Sequence, residues 1–220
     1  MLAIYLHGFG SGPQSAKATF FRQRLQQVGI PVQVPDLNQD NFAQLTLTRQ
    51  IQQVSDQLAE MNYPPVTLIG SSLGGLVAAW VAEQQPCVQR LVLLAPAFGF
   101  LGHWLPRLGA EAVETWQRTG QLMVFHYGEG RPLALEYGFV ADAQRYPDGA
   151  LRRPVPTLIV HGIQDETIPI QASRDYVARR PWAQLVAVES DHALTDVLDP
   201  IWQITSRFCG WGMETGQYGC

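Results

Sequence analysis

The stretch Gly70-Ser71-Ser72-Leu73-Gly74 places a serine at the centre of a turn bounded by glycines. An apolar run over residues 66–69 precedes the turn, and a helical pattern follows it. A sharp strand-to-helix turn of this kind lifts the central hydroxyl from the end of the strand, beside the positive end of a helix. Taken alone the pattern is weak, and a plain Gly-Ser turn is the alternative. Because a strand precedes it and a helix follows it, we interpret Ser72 as a candidate nucleophile.

A serine hydroxyl needs a general base to attack a substrate at neutral pH. His192 follows the last predicted strand, and Asp165 follows the strand before it, in the order serine, acid, histidine expected for this type of turn. We predict that His192 accepts the proton of Ser72 and that Asp165 orients and stabilises the imidazole. Glu166 and Asp191 are alternative acids, and a solvated or helix-capping histidine is the alternative for His192.

Two backbone amides are candidates for stabilising an oxyanion. One is the amide of Leu73, which follows the candidate nucleophile. The second is the amide of Phe9, in the loop "LHGFGSGPQSAK" after the first predicted strand. A Gly/Pro-rich turn without chemistry is the alternative for that loop. His7 and His161 each end a predicted strand as a His-Gly pair, and we interpret both as residues that shape turns.

Strands alternating with helices must position these groups. Short β-type runs cover 2–6, 32–34, 66–69, 91–94, 157–160 and 185–188, and helical patterns cover 15–28, 47–61, 73–85, 170–180 and 197–208. In the second helix, apolar residues recur at steps of four, three, four and three, which predicts one buried face. Alternation of this kind predicts an α/β fold: a six-stranded, mainly parallel sheet of order 2-1-3-4-5-6 with helices on both faces.

The interval from about 97 to 153 is too long for a structureless loop in a compact domain. We therefore predict a helical cap insertion over Ser72, with aromatic residues that could line an apolar pocket or form the cap's own core. The whole chain, 1–220, is predicted to be a single domain. The glycine-rich tail, about 210–220, is predicted to be poorly ordered.

Composition excludes several functional classes. The net charge of −4 comes without a run of basic residues, which argues against nucleic acid as a partner. No apolar run approaches the roughly 18 residues of a membrane helix. Three widely spaced cysteines favour neither a disulfide framework nor a zinc site, and suggest a reducing compartment. We expect a cytoplasmic protein with no metal and no cofactor; its oligomeric state stays open.

The sequence resembles an α/β-hydrolase, and more narrowly the small bacterial esterases of the YqiA type. The stretches that carry the resemblance are "YLHGFGSGPQSAKA" at 5–18, "IGSSLGG" at 69–75, "APA" at 95–97, "GIQDETI" at 162–168 and "SDHALT" at 190–195. The resemblance carries the catalytic serine, aspartate and histidine onto Ser72, Asp165 and His192. It matches poorly in the insertion, which here is longer and contains tryptophan.

The resemblance implies hydrolysis of carboxylic esters with small or acyl-chain substrates, through an acyl-enzyme intermediate. Acyl-CoA thioesters, amides and peptides are alternative substrates, since the same three groups can cleave them. A non-catalytic protein that binds a small ligand, or a scaffold that binds a partner through the cap, would be a different class of function. The presence of Ser72, Asp165 and His192 together argues against the non-catalytic protein, whereas the scaffold stays an alternative.

Overall fold

The computed structural model describes residues 1–212 as alternating strands and helices around one large sheet. The strands are β1 (Leu2–Leu6), β2 (Val32–Gln33), β3 (Val66–Ser71), β4 (Val88–Leu94), β5 (Gln121–His126), β6 (Arg131–Glu136), β7 (Thr157–Gly162) and β8 (Ala183–Val188). The α-helices are α1 (Ala16–Gln27), α2 (Leu47–Glu60), α3 (Leu73–Gln84), α4 (Phe100–Leu108), α5 (Ala110–Thr119), α6 (Gly138–Ala143), α7 (Ile170–Val177) and α8 (Leu198–Cys209).

The large sheet has six strands in the order β2-β1-β3-β4-β7-β8, and every pair of neighbours is parallel. The predicted parallel sheet is confirmed, and its six strands have the predicted spatial order. With all eight strands numbered, the order is 2-1-3-4-7-8 and not 2-1-3-4-5-6, because the insertion adds β5 and β6 to the chain after β4. Since the strands are parallel, the segments that follow β1, β3, β7 and β8 all leave the sheet at the same edge.

Two apolar cores cover the two faces of this sheet. On one face, α1 and α8 pack their buried side chains against the strands, and on the other face α2, α3 and α7 do so. The predicted apolar face of α2 is confirmed, because Leu47, Ile51, Val54 and Leu58 are buried. Helix α3 is buried along almost its whole length, which holds its first residue firmly against the carboxyl edge of the sheet.

The sequence predicts a helical cap between β4 and β7, and this prediction is wrong in part. The insertion combines helices with a β-hairpin. Helices α4, α5 and α6 accompany the antiparallel pair β5–β6, which forms a separate two-stranded sheet. Burial alternates along β5, with Leu122 and Val124 turned inward between exposed neighbours, and Gly128 and Gly130 lie in the connecting turn. An alternation of period two favours a strand over a helix.

The predicted tail, about 210–220, begins with a residue that packs against the fold. Trp211 is buried and stacks on Trp202 of α8, with ring centroids 6.1 Å apart. The remainder of the predicted tail, 213–220, lies outside the described residues. Within residues 1–212, no helix combines the length and the apolar character needed to cross a membrane.

Candidate active site

Ser72 lies in a strained turn between β3 and α3. Its backbone has φ 53° and ψ −119°, a left-handed conformation that costs a non-glycine residue energy. The turn closes only because its flanking glycines lack side chains: a Cβ on Gly70 would lie 2.3 Å from the carbonyl oxygen of Gly74. A Cβ on Gly74 would lie 2.2 Å from the carbonyl oxygen of Leu6 on the neighbouring strand. The turn therefore holds the Ser72 hydroxyl partly exposed, whereas Ser71 is buried.

Backbone hydrogen bonds fix this turn on the sheet. The amide of Ser72 donates to the carbonyl of Leu94 at 2.9 Å, and the amide of Ala97 donates to the carbonyl of Ser72 at 3.0 Å. The chain leaving β4 thus braces the turn from the side. The "APA" stretch at 95–97 therefore has a structural role, because it supports the turn that carries Ser72.

The structure brings Ser72, His192 and Asp165 into one hydrogen-bonded chain. The hydroxyl of Ser72 lies 3.0 Å from Nε2 of His192, and Nδ1 of His192 lies 2.7 Å from Oδ2 of Asp165. The Asp165 side chain is fully buried, whereas a quarter of the His192 side chain is accessible, at 24%. With the proton of the imidazole on Nδ1, His192 donates to Asp165 and its Nε2 is free to accept the proton of Ser72.

Asp165 is held as a carboxylate by several donors. Its Oδ1 accepts hydrogen bonds from the amides of Thr167 and Ile168, both at 2.8 Å. Burial alone would raise the pKa of Asp165, but hydrogen bonds from His161 and His192, the charge of His192 and the amide of Ile168 outweigh it, so its pKa lies below the usual value for aspartate. The carboxylate is therefore available to stabilise an imidazolium at neutral pH.

His161 contacts Asp165 and is therefore part of this site, so its interpretation as a residue that only shapes a turn is incomplete. It is fully buried, and its Nε2 lies 2.9 Å from the carbonyl of Ile168 and 3.1 Å from Oδ2 of Asp165. The hydroxyl of Ser173 lies 2.8 Å from its Nδ1. His161 therefore positions the carboxylate of Asp165 as well as ending β7. Its spacing of four residues from Asp165, across the end of a buried strand, is the signal that could have indicated this contact.

Within the described residues, neither alternative acid, Glu166 or Asp191, makes a hydrogen bond or an ion pair with the imidazole of His192. Asp191 is exposed, and its carboxylate accepts hydrogen bonds from the amides of Ala193 and Leu194, at 2.8 and 3.3 Å. Glu166 is also exposed, and its backbone carbonyl accepts a hydrogen bond from Arg107 of the insertion. Asp191 instead shapes the turn that carries His192.

The loop after β1 lies against Ser72, as the candidate oxyanion donors require. A Cβ on Gly8 would lie 3.3 Å from Cβ of Ser72 and 4.0 Å from its Oγ. Leu73 is the first residue of α3, where amides have no acceptor within the helix. Within residues 1–212, neither the Leu73 amide nor the Phe9 amide is engaged in a backbone hydrogen bond outside the regular elements.

Aromatic side chains of the insertion surround the ring of Phe9. The Phe9 ring lies 5.5 Å from Trp104, 6.3 Å from Phe100 and 5.8 Å from Phe139. Trp116 behaves differently: it is fully buried and its indole N–H donates to the carbonyl of Leu135 at 2.9 Å, so it belongs to the insertion's own core. Among residues 1–212, no three His, Cys, Asp or Glu side chains form a group that could hold a metal ion.

A family model described as "Uncharacterised protein family (UPF0227)" matches residues 2–209, nearly the whole chain. The chain belongs to the UPF0227 family. No curated protein matches this UPF0227 member.

Solved structures show that this UPF0227 member has the α/β-hydrolase fold. Alpha/beta hydrolase domain-containing protein 10 from mouse is 22% identical, with a TM-score of 0.79 over 94% of this chain and 89% of that chain. Est1E from Butyrivibrio proteoclasticus, solved with ferulic acid bound, is 20% identical, with a TM-score of 0.73 over 95% and 89% of the two chains. The esterase domain of a Rhodothermus marinus protein is 18% identical, with a TM-score of 0.67 over 94% and 85%.

Proposed function

We propose that this UPF0227 member is a serine hydrolase that cleaves carboxylic esters of small or acyl-chain substrates. The observation that carries the proposal is the continuous chain from the Ser72 hydroxyl through His192 to Asp165, with distances of 3.0 and 2.7 Å. The strained backbone of Ser72 supports it further, because backbone strain of this kind is concentrated at functional sites.

In the proposed mechanism, the Ser72 oxygen bonds to the carbonyl carbon of the ester while its proton passes to Nε2 of His192. The negative charge that develops on the carbonyl oxygen is stabilised by the amides of Phe9 and Leu73, and losing one such donor typically costs about 3 kcal/mol of barrier. The tetrahedral intermediate then breaks its bond to the alkoxy oxygen, which leaves as an alcohol with the proton from His192.

The acyl group now sits on Ser72 as an ester. His192 takes a proton from a water molecule, whose oxygen attacks the acyl carbon, and the carboxylic acid leaves as Ser72 regains its proton. In both halves Asp165 keeps the proton of the imidazole on Nδ1 and stabilises the positive charge that forms.

The segment 97–153 is proposed to cap this site. Support comes from the packing of Phe100, Trp104 and Phe139 around Phe9, because the Phe9 amide is itself a proposed oxyanion donor. An apolar wall next to the nucleophile suits an acyl group and would exclude water from the intermediate.

An ester is the first substrate class to test, since structures with this fold include proteins named esterases. The test is a panel of p-nitrophenyl esters with acyl chains of two to sixteen carbons, measured beside acyl-CoA thioesters of the same chain lengths. Saturable hydrolysis that is lost in Ser72→Ala is the expected result. Turnover of the thioesters alone would favour the thioesterase alternative, and binding of acids or esters without turnover would favour a non-catalytic receptor.

A further inference from the structure

The chain contains a single lysine, Lys17, among its 15 basic residues; all the others are arginines. Lys17 lies in the first turn of α1, at the end of the stretch "LHGFGSGPQSAK" that contains Phe9. A positive charge at the start of a helix is unfavourable, because the helix dipole is positive there. A lysine at this position therefore needs another explanation.

The ammonium of Lys17 reaches across to the loop that carries His192. Its Nζ donates a hydrogen bond of 2.6 Å to the backbone carbonyl of Ala193, the residue directly after His192. Burial lowers the pKa of Lys17 to about 8, although the charges of Asp165 and Asp191 act in the opposite direction. Burial thus disfavours the charged amine, whereas its contact with a carbonyl oxygen favours it.

Among the described residues, the side-chain hydrogen bonds to the amides of Ala193 and Leu194 come from within the His192 loop. The carboxylate of Asp191 accepts the amides of Ala193 and Leu194, but it belongs to the same loop. Leu194 has a positive φ of 56°, so the chain reverses sharply after His192. Gly162 lets the loop approach β7 closely, because a Cβ there would lie 2.3 Å from the carbonyl of Ser190. Lys17 contacts this loop from a separate element, helix α1, at Ala193, the residue directly after His192.

We propose that Lys17 is a positioning residue, which holds the backbone at Ala193 and thereby keeps the His192 imidazole in line between Ser72 and Asp165. The proposal rests on the proposed function for its catalytic consequence. A compact ammonium suits this task better than a guanidinium, because it can direct a single donor at a single carbonyl. Small displacements of a catalytic group cost large factors in rate, up to about 10² for 1 Å.

The experiment compares Lys17→Met with Arg24→Met, which removes a cation from the same helix. Arg24 pairs with Asp199 of α8, and within residues 1–212 it makes no hydrogen bond or ion pair with the His192 loop. Lys17→Met should lower kcat for ester hydrolysis by at least roughly tenfold. It should change KM by less than about threefold, because it displaces the base and not the substrate. Arg24→Met should leave both constants unchanged.

Two further measurements separate positioning from a general structural role. The free energy of unfolding of Lys17→Met should equal or exceed that of the wild type, since the substitution removes a charge that is partly buried. The imidazole NMR signals of His192 should shift or broaden in Lys17→Met and stay in place in Arg24→Met.

The proposal is overturned if kcat falls by less than about threefold, or if the loss of activity follows a loss of unfolding free energy. Unchanged His192 signals in Lys17→Met overturn it whether or not the protein is an enzyme. A wild-type protein that hydrolyses no ester, but whose His192 signals respond to Lys17→Met, would instead count against the proposed function alone.

Discussion

The carboxyl edge of the sheet and the insertion at 97–153 meet near Ser72, but they are held by different forces. At the sheet edge, directed hydrogen bonds hold each candidate side chain, as with the two amides and two imidazoles around Asp165. The part of the insertion next to Phe9 is held by the aromatic rings of Phe100, Trp104 and Phe139. Its hydrogen bonds to the rest of the fold are made by other residues, such as Asp142, which accepts the amide of Thr48 at 2.9 Å.

This difference suggests a division of labour. Hydrogen bonds fix position and direction within narrow limits, which proton transfer requires. Apolar packing is less directional and tolerates changes of shape, which suits a surface that selects among acyl groups. Changes at the sheet edge should therefore reduce turnover of all substrates alike, whereas changes in the insertion should alter the preference among substrates.

The largest effect is expected for His192→Ala. Without a base, Ser72 keeps its proton, and kcat for every ester should fall by roughly 10⁴-fold or more. The circular dichroism spectrum and the free energy of unfolding should change little, since the imidazole is partly exposed. Steady-state kinetics on three acyl chain lengths measures the loss; a mild or chain-dependent loss would mean that another base is used.

Asp165→Asn should be the next most severe change. The amide cannot supply the negative charge that stabilises the imidazolium, so kcat should fall by roughly 10²–10⁴-fold. Glu166→Gln and Asp191→Asn are matched controls that remove the same charge from the neighbouring acids, and each should retain activity within about threefold. If either control loses more activity than Asp165→Asn, the assignment of the acid is wrong.

Trp104→Ala tests the insertion. Its ring contacts those of Phe9 and Phe100, at 5.5 and 5.1 Å, and removing it should change kcat/KM by roughly 3- to 30-fold. The direction should depend on acyl chain length, unlike the uniform loss in His192→Ala. Tyr127→Ala, which removes an aromatic ring that is 77% exposed, is the control and should behave as wild type. A uniform loss in Trp104→Ala would contradict the division of labour.

Asp148→Asn should have the smallest effect, on stability alone. The Asp148 carboxylate accepts the amide of Gly99 at 2.7 Å, where the insertion begins. Burial raises the pKa of Asp148, whereas the Gly99 amide and the Arg180 charge lower it. Burial has the larger effect, and the pKa is raised to about 6. Because the folded state binds this proton more tightly than the unfolded state, Asp148 lowers stability progressively as the pH rises from about 4 to about 6.

Asparagine carries no charge and can still accept from Gly99. Asp148→Asn should therefore raise the free energy of unfolding by about 1–2 kcal/mol at pH 7, with no gain at pH 4. Urea denaturation at both pH values measures the difference. Asp175→Asn, at an exposed acid on α7, is the control and should show no such pH dependence. A stabilisation of equal size at both pH values would contradict the assigned cause.

The contrast between the sheet edge and the insertion also explains which features the sequence could predict. Ser72, Asp165 and His192 could be placed because each follows a continuously apolar strand, and parallel strands bring their carboxyl ends to one edge. The hairpin β5–β6 could not be predicted because β5 reads as a continuous apolar run at 122–125, in which the exposed residues Met123 and Phe125 are as apolar as their inward neighbours. The contact of Lys17 with Ala193 could not be predicted, because it joins segments that lie 176 residues apart in the sequence. The contact of His161 with Asp165 is indicated only by their spacing of four residues.

Reaction with a fluorophosphonate probe tests the central claim most directly. The phosphorus should bond to the Ser72 oxygen as fluoride leaves, and mass spectrometry should find one adduct, on the peptide that contains Ser72. Labelling should disappear in Ser72→Ala, slow by several orders of magnitude in His192→Ala, and persist in Ser71→Ala. A wild-type protein that stays unlabelled, or a Ser72→Ala protein labelled as fast as wild type, would contradict the account.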